Sequence, residues 1–226
     1  MNTQELNQKF EAASPQEILA WAIKTYAPKA GLSSSFGGQS AALIHMAIQI
    51  DPQIPILFLD TGYLFKETLA FVDTLKKRFN LNLRTFRATP EQMAVTKKNL
   101  ATRTENSGVC CDATKVALMQ QSLEGLACWI AGLQRSQGAT RKDIRIVEEY
   151  RSGLVKVHPL ASWTGKQIYS YMKDHDLPFH PLWERGYTSI GCEPCTSLPT
   201  AGGGERSGRW AGLDKKECGI HTFLEK

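Results

Sequence analysis

The six cysteines of this chain fall into three kinds of setting. Cys110 and Cys111 are adjacent, Cys192 and Cys195 form a C-x-x-C around Glu193-Pro194, and Cys128 and Cys218 stand alone. A C-x-x-C can be half of a zinc site, a redox pair or half of an iron-sulfur site. Zinc needs two further ligands around one small ion, and two neighbouring cysteines fill such a tetrahedron awkwardly. Several irons remove that strain, because each cysteine can bind its own metal. On the residues alone three readings stay open: a [4Fe-4S] cluster on Cys110, Cys111, Cys192 and Cys195, a zinc ion, and unliganded thiols.

The two lone cysteines differ. Cys128 sits between Ala127 and Trp129 in an apolar run, which predicts a core residue. Cys218 lies in Lys215-Lys216-Glu217-Cys218-Gly219-Ile220-His221, beside two lysines and near a histidine. Positive neighbours raise a thiol's thiolate fraction, which a nucleophile requires.

Three segments have the chemistry to hold an anion. Ser35-Phe36-Gly37-Gly38-Gln39-Ser40 connects a strand to a helix; its glycines let the backbone approach a ligand, and the helix amides attract phosphate or sulfate. Asp60-Thr61-Gly62 occupies the equivalent place one unit later, where it can contact a nucleoside. Downstream of Gly132, Arg135 and Arg141 follow another strand, and arginine pairs bidentately with phosphate or sulfate.

These residues need a frame, and the alternation of patterns supplies one. Ser14-Pro15-Gln16-Glu17 is a capping box opening a helix through Tyr26. A strand is predicted near residues 32–35, a helix carrying Ala42 to Ile50, a strand at 56–59, a helix over 64–78, and a strand at 81–86. A helix over 114–123, a strand at 128–132, strand-like segments at 144–149 and 154–157, and a helix over 164–173 complete the pattern. Strands alternating with helices predict an α/β protein, a parallel twisted sheet with helices on both faces. Ligands of such sheets bind at the carboxyl ends of the strands, near a switch point. Beyond about residue 185 the pattern dissolves into Gly, Pro, Ser and Cys. The expected organisation is therefore an α/β domain over 1–185 and a C-terminal segment over 186–226, a mobile tail or lid.

Composition sets outer bounds. At 226 residues and 42% hydrophobic content the chain can bury a sizeable core. No apolar run of membrane-spanning length occurs and the first residues are polar, so the expected location is cytoplasmic, with no membrane partner. Six cysteines are too few for a disulfide scaffold. Of the net charge of +5, residues 76–115 contribute nine Lys/Arg against three Asp/Glu. With no nucleic-acid motif in that stretch, it predicts part of a pocket for a small anionic substrate, not a nucleic-acid surface. An oligomeric state is not set by these features.

The pairs Cys110-Cys111 and Cys192-x-x-Cys195, with the closing Glu217-Cys218-Gly219-Ile220-His221, resemble the assimilatory sulfonucleotide reductases over about residues 31–221. These enzymes reduce adenylyl sulfate (APS) or its 3′-phosphorylated form (PAPS) to sulfite. The resemblance implies an adenine-nucleotide α-hydrolase-like fold and a [4Fe-4S] cluster on the four paired cysteines. It implies that Cys218 attacks the substrate sulfur, expels AMP and becomes an S-sulfocysteine, from which thioredoxin or glutaredoxin frees sulfite. By the same likeness the loop from Ser35 to Ser40 and Asp60-Thr61-Gly62 are substrate loops, and Arg135 and Arg141 hold sulfate and phosphate. Lys115 links cluster and substrate, and Arg206 and Arg209 of the tail join the closed site.

One departure bears on the substrate. Gly38-Gln39-Ser40 lacks the acid that many cluster-bearing relatives carry in this loop, and resembles the cluster-free PAPS reductases. The four cysteines and the Arg206-Ser207-Gly208-Arg209-Trp210 tail point instead to APS, with PAPS the alternative. A tRNA-thiolating ATP pyrophosphatase is the enzymatic rival, but Phe36-Gly37-Gly38-Gln39-Ser40 lacks the aspartate of its Ser-Gly-Gly-x-Asp-Ser loop. A metal-sensor module is the non-enzymatic rival, and it gives no reason for the setting of Cys218.

Overall fold

A computed structural model describes residues 2–102 and 108–225. Eight helices alternate with six strands among the described residues: α1 (Thr3–Phe10), α2 (Pro15–Tyr26), β1 (Ala30–Ser34), α3 (Ser40–Ile48), β2 (Ile56–Asp60), α4 (Lys66–Phe79), β3 (Leu83–Arg87), α5 (Pro90–Thr102), α6 (Val109–Cys111), α7 (Ala117–Ser122), β4 (Cys128–Ala131), β5 (Val147–Glu149), β6 (Val155–Val157) and α8 (Gly165–Asp174). The strand order is β3-β2-β1-β4-β6-β5. The chain winds outward from β1 to β3, then returns to place β4 on the other side of β1. The switch point therefore lies between β1 and β4.

Side-chain alternation splits the core across the sheet. Leu32, Ile56, Phe58, Cys128 and Ile130 pack on one face with α2, α3 and α8. Leu57, Trp129 and Ala131 pack on the other with Met119 and Leu123. Cys128 is wholly buried, as expected, and burial pushes its thiol up to about 12.

The sheet is mixed, not wholly parallel. β5 pairs antiparallel with β6 while all other pairs are parallel. The two strands are joined by residues 150–154, and a link that short closes a hairpin but cannot make a crossover. Two helices also go beyond the sequence reading. α1 has a capping box of Asn2 with Glu5. Before α5, Thr89 and Gln92 bond reciprocally, side chain to backbone, in the same manner.

The C-terminal segment carries only short 3₁₀ turns and two isolated bridges, Leu64 to Cys192 and Thr196 to Arg209. It nonetheless packs. Ile220, Phe223 and Leu224 lie against the Leu57–Trp129 face of the sheet, and Trp210 is buried.

Candidate active site

At the carboxyl ends of β1 and β4 the switch point opens into a cavity of about 250 Å³. Helix α3 starts at its rim without a side-chain cap on Gln39, whereas α1, α2 and α8 each carry a capping box. Uncapped helix amides beside a cavity are an anion site in waiting. The Gln39 side-chain oxygen instead accepts from Gln134 Nε2 at 2.8 Å, which braces the loop against the end of β4.

Ser35, Gly37, Gly38, Gln39, Ser40 and Thr61 line the cavity, together with Lys115, Arg141, Arg206, Arg209 and Cys218. Loops from both halves of the sheet and the C-terminal segment thus meet in one place. Arg206 and Arg209 stack near the Trp210 ring, at 5.7 and 4.6 Å from its centroid. Gly191 makes room for one of them, since a Cβ there would run into the Arg209 guanidinium.

Four expected residues do not line this cavity. Phe36 turns its ring into the core, edge-on to Phe58 at 5.2 Å. Its φ of 50° is the left-handed region unusual for a non-glycine residue, so it anchors the bend that lets Gly37 and Gly38 face the cavity. Asp60 accepts from the Gly62 amide at 3.0 Å and pairs with Arg87, and Gly62 sits under Met93 at φ 75°. Arg135 turns away from the cavity altogether. Glu11 takes its guanidinium at 2.6 and 2.8 Å and the Ile144 carbonyl takes its Nε.

The basic stretch also reads differently in space. Lys76, Lys77 and Arg78 occupy the last turn of α4, where they complement the helix dipole, and Arg84 and Arg87 lie on edge strand β3. Of its cations on described residues, Lys115 is the one that lines the cavity, while Arg103 lies outside the described residues. The charge that faces the cavity comes instead from Lys115, Arg141, Arg206 and Arg209, distant in sequence.

Several site residues carried no signal that the sequence reading used. Glu217, next to Cys218, is gripped by Arg141 at 2.8 and 2.9 Å, by Arg206 at 3.0 Å and by Thr140. Burial opposes its charge, but Arg141 and Arg206 hold the carboxyl below its ordinary range. Burial and the neighbouring Arg141 in turn push Arg206 down to about 10. Glu205 lines the cavity too, and burial raises its carboxyl.

The four paired cysteines line a second, smaller cavity with Thr114, Lys115 and Trp210. They reach it by different means. Cys110 and Cys111 lie on α6, which continues into a π-helical turn, Asp112–Val116, bonded by Thr114 to the Cys110 carbonyl at 2.7 Å. Widened turns of this kind recur at functional sites. Cys192 is brought across by the bridge to Leu64, and its sulfur lies 3.3 Å from Thr61 Oγ1. The Cys110 thiol donates to Cys111, which with Lys115 and Lys215 lowers Cys111 to about 5 against the cost of burial. Lys215 reaches that sulfur at 3.3 Å. Among the described residues, no group of three or more His, Cys, Asp or Glu is arranged to hold a single metal ion.

Lys115 borders both cavities. Burial works against its charge, yet Cys192, Cys218 and Cys111 raise its ammonium above the ordinary lysine value.

This sheet, with a cavity at its switch point, has an adenine-nucleotide α-hydrolase-like fold. Residues 29–198 match the model of the phosphoadenosine phosphosulfate reductase domain. The chain is 39% identical to an adenosine 5′-phosphosulfate reductase of Rhodococcus opacus, over 94% of this chain and 90% of that one. It is equally 39% identical to a phosphoadenosine 5′-phosphosulfate reductase of Gloeobacter violaceus, over 97% and 93%. Among solved structures, a phosphoadenylyl-sulfate reductase from Candida auris superposes with a TM-score of 0.73 at 24% identity, covering 84% of this chain and 94% of that one. The chain belongs to the phosphoadenosine phosphosulfate reductase family and is an oxidoreductase acting on a sulfur group, a sulfonucleotide reductase. No helix of the described residues is long and apolar enough to cross a membrane.

Proposed function

We propose that the chain reduces APS to sulfite and AMP in the cytoplasm, as a step of assimilatory sulfate reduction toward cysteine, with Cys218 as nucleophile and thioredoxin or glutaredoxin as reductant. The observation that carries this reading is Cys218 on the lip of a cavity lined by Lys115, Arg141, Arg206 and Arg209. Residues 1–185 act as the nucleotide-binding domain, and 186–226 carry the C-x-x-C and the reactive tail.

The chemistry balances as follows. The Cys218 thiolate attacks the sulfate sulfur; an S–S bond forms as the S–O bond to the phosphate breaks, and AMP leaves with the electron pair. The cationic side chains stabilise the departing phosphate. A thioredoxin thiolate then attacks the Cys218 sulfur and expels sulfite, and a second thioredoxin thiol closes the disulfide that takes up the oxidation. The tail must therefore present Cys218 first to the cavity and then to a protein.

The four cysteines around the smaller cavity fit a [4Fe-4S] cluster: all four are sulfur donors, they converge from two distant segments, and one pair already shares a proton. When bound, such a cluster supplies an anionic, polarisable centre, and the two-electron thiol mechanism asks no electron of it. Lys115, bordering both cavities, holds its positive charge between those sulfurs and Cys218.

PAPS is the second reading, favoured by the loop at Gln39, which lacks an acid. Glu205 supports APS. Brought from the tail, it stands with Gln39 beside Gly165 and so returns to the cavity the acid that the loop itself lacks. Cys218→Ser should abolish thioredoxin-dependent sulfite release and leave the iron content unchanged; retained turnover would overturn the nucleophile. Cys192→Ser should lose iron, and undiminished iron would refute the ligand set. A steady-state comparison of kcat/KM for APS and PAPS decides the substrate, a preference for PAPS reversing that choice.

A further inference from the structure

Lys156 is a buried charge for which the proposed reaction has no use. It lies in the middle of β6, where it pairs across the sheet with Trp129 of β4 and with Glu148 of β5. The three side chains make a ladder on one face. The Lys156 ammonium stands 4.5 Å from the centroid of the Trp129 ring and 3.7 Å from Glu148 Oε2, and its side chain is 2% exposed. Tyr150 ties down that carboxylate at 2.8 Å. Burying an ammonium in a sheet face is costly unless every partner is in place.

The partner that completes this setting belongs to the tail. Lys156 Nζ donates to the carbonyl of His221 at 2.9 Å, and the His221 ring lies flat on Trp129, centroids 5.4 Å apart and 13° from parallel. His221 is the third residue after Cys218. One sheet position thus grips the tail twice, through a charge-assisted hydrogen bond to its backbone and through the aromatic surface the ammonium itself lies over. On the other side of Cys218, Glu217 is held by Arg141 and Arg206. A substrate anion competes for those arginines, whereas Lys156 does not line the cavity.

We propose that Lys156 is a positioning residue for Cys218: with Trp129 it clasps the tail at His221 and so fixes where the sulfur stands at the cavity. The catalytic consequence rests on the reading of Cys218 as nucleophile; the clasp itself does not.

Alkylation of the holoenzyme by iodoacetamide, with the label at each cysteine read by mass spectrometry, tests it. Lys156→Met keeps the apolar stem and removes the charge. It should raise the labelling rate of Cys218 roughly tenfold, as expected for loss of one charge-assisted hydrogen bond, with Cys128 still protected. His221→Ala leaves the sheet untouched and should give a rise of the same order. In single turnover without thioredoxin, formation of the S-sulfocysteine should slow at least about tenfold in both, because a small misplacement of a reacting group is expensive. In Lys156→Met its substrate-concentration dependence should stay within about twofold, since Lys156, unlike His221, does not line the cavity. Wild-type labelling of Cys218 in the His221→Ala enzyme, or in a folded Lys156→Met enzyme, overturns the clasp. If Lys156→Met also exposes Cys128, the sheet has opened and His221→Ala decides. Labelling does not need Cys218 to be the nucleophile, so turnover by Cys218→Ser would sink the functional reading and leave this test standing.

Discussion

The sheet domain and the C-terminal segment hold themselves together in opposite ways. In the sheet, β2 and β4 bury apolar side chains on both faces, and α1, α2 and α8 each open on a capping box. The segment from Gly186 onward has almost no regular structure. Its place is set by point attachments, namely Cys192 bridging to Leu64, Glu217 held by Arg141 and His221 on Trp129, and by the small apolar contact of Ile220, Phe223 and Leu224. A region fixed by many small apolar contacts unfolds with the whole domain, whereas one fixed by a few polar anchors opens by itself. The cavity-lining loop before α3 belongs to the first region; Cys218, Arg206 and Arg209 belong to the second. A reaction that needs the same sulfur at a buried substrate and then at a second protein fits this division.

Four changes would break or sharpen the contrast. The largest effect belongs to the sheet: Ile130→Ala, at a fully buried position of β4, should cost about 2–5 kcal/mol, read as a lowered urea midpoint for the whole domain. Glu217→Gln should spare that midpoint to within about 0.5 kcal/mol and open the tail, seen as faster tryptic cleavage after Lys215 and Lys216; unchanged cleavage would show that the carboxylate is no anchor. Glu148 ties the contrast to pH. Burial opposes its charge, but His158, Lys156 and Tyr150 hold it at about 2 against an ordinary 4.5. A carboxyl lowered on folding stabilises above its unfolded pKa and loses that contribution as pH falls. Stability should therefore decline between about pH 4.5 and 2, and Glu148→Gln should flatten that decline while lowering stability at neutral pH. The smallest effect is expected for Arg135→Ala, which breaks a partly exposed pair with Glu11 worth under about 1 kcal/mol. Sulfite release should stay within about twofold of wild type, and a large loss would return Arg135 to the substrate site.

Much of the scaffold is legible in the chain because its causes are local. The capping box at Ser14 and Glu17, the apolar runs at β2 and β4, and the glycine pair before α3 each act within a few residues. Two signals of the same kind were present and unused: Asn2 with Glu5 before α1, and Thr89-Pro90 with Gln92 before α5. The short link between β5 and β6 likewise carries the antiparallel pairing that alternation alone does not reveal. The site is legible only in its residue types. Arg135 and Arg141 look equivalent in sequence, both following β4. What separates them is Glu11 at the end of α1, more than a hundred residues away, which takes one guanidinium out of the cavity.

By itself, the sequence determined the alternating frame, the glycine-bearing loop before α3, the sorting of six cysteines into two pairs, a core residue and a lone one near the C-terminus, and the family to which they belong. These follow from residue chemistry and short-range spacing. Only the tertiary structure decided that both cysteine pairs line one cavity, that Lys115 borders it and the larger one, that Phe36 is an anchor, and that Lys156 is buried beneath the tail. Each depends on segments far apart in the chain meeting across the sheet, and the free energy of a charge is set by what encloses it, which spacing along the chain does not specify.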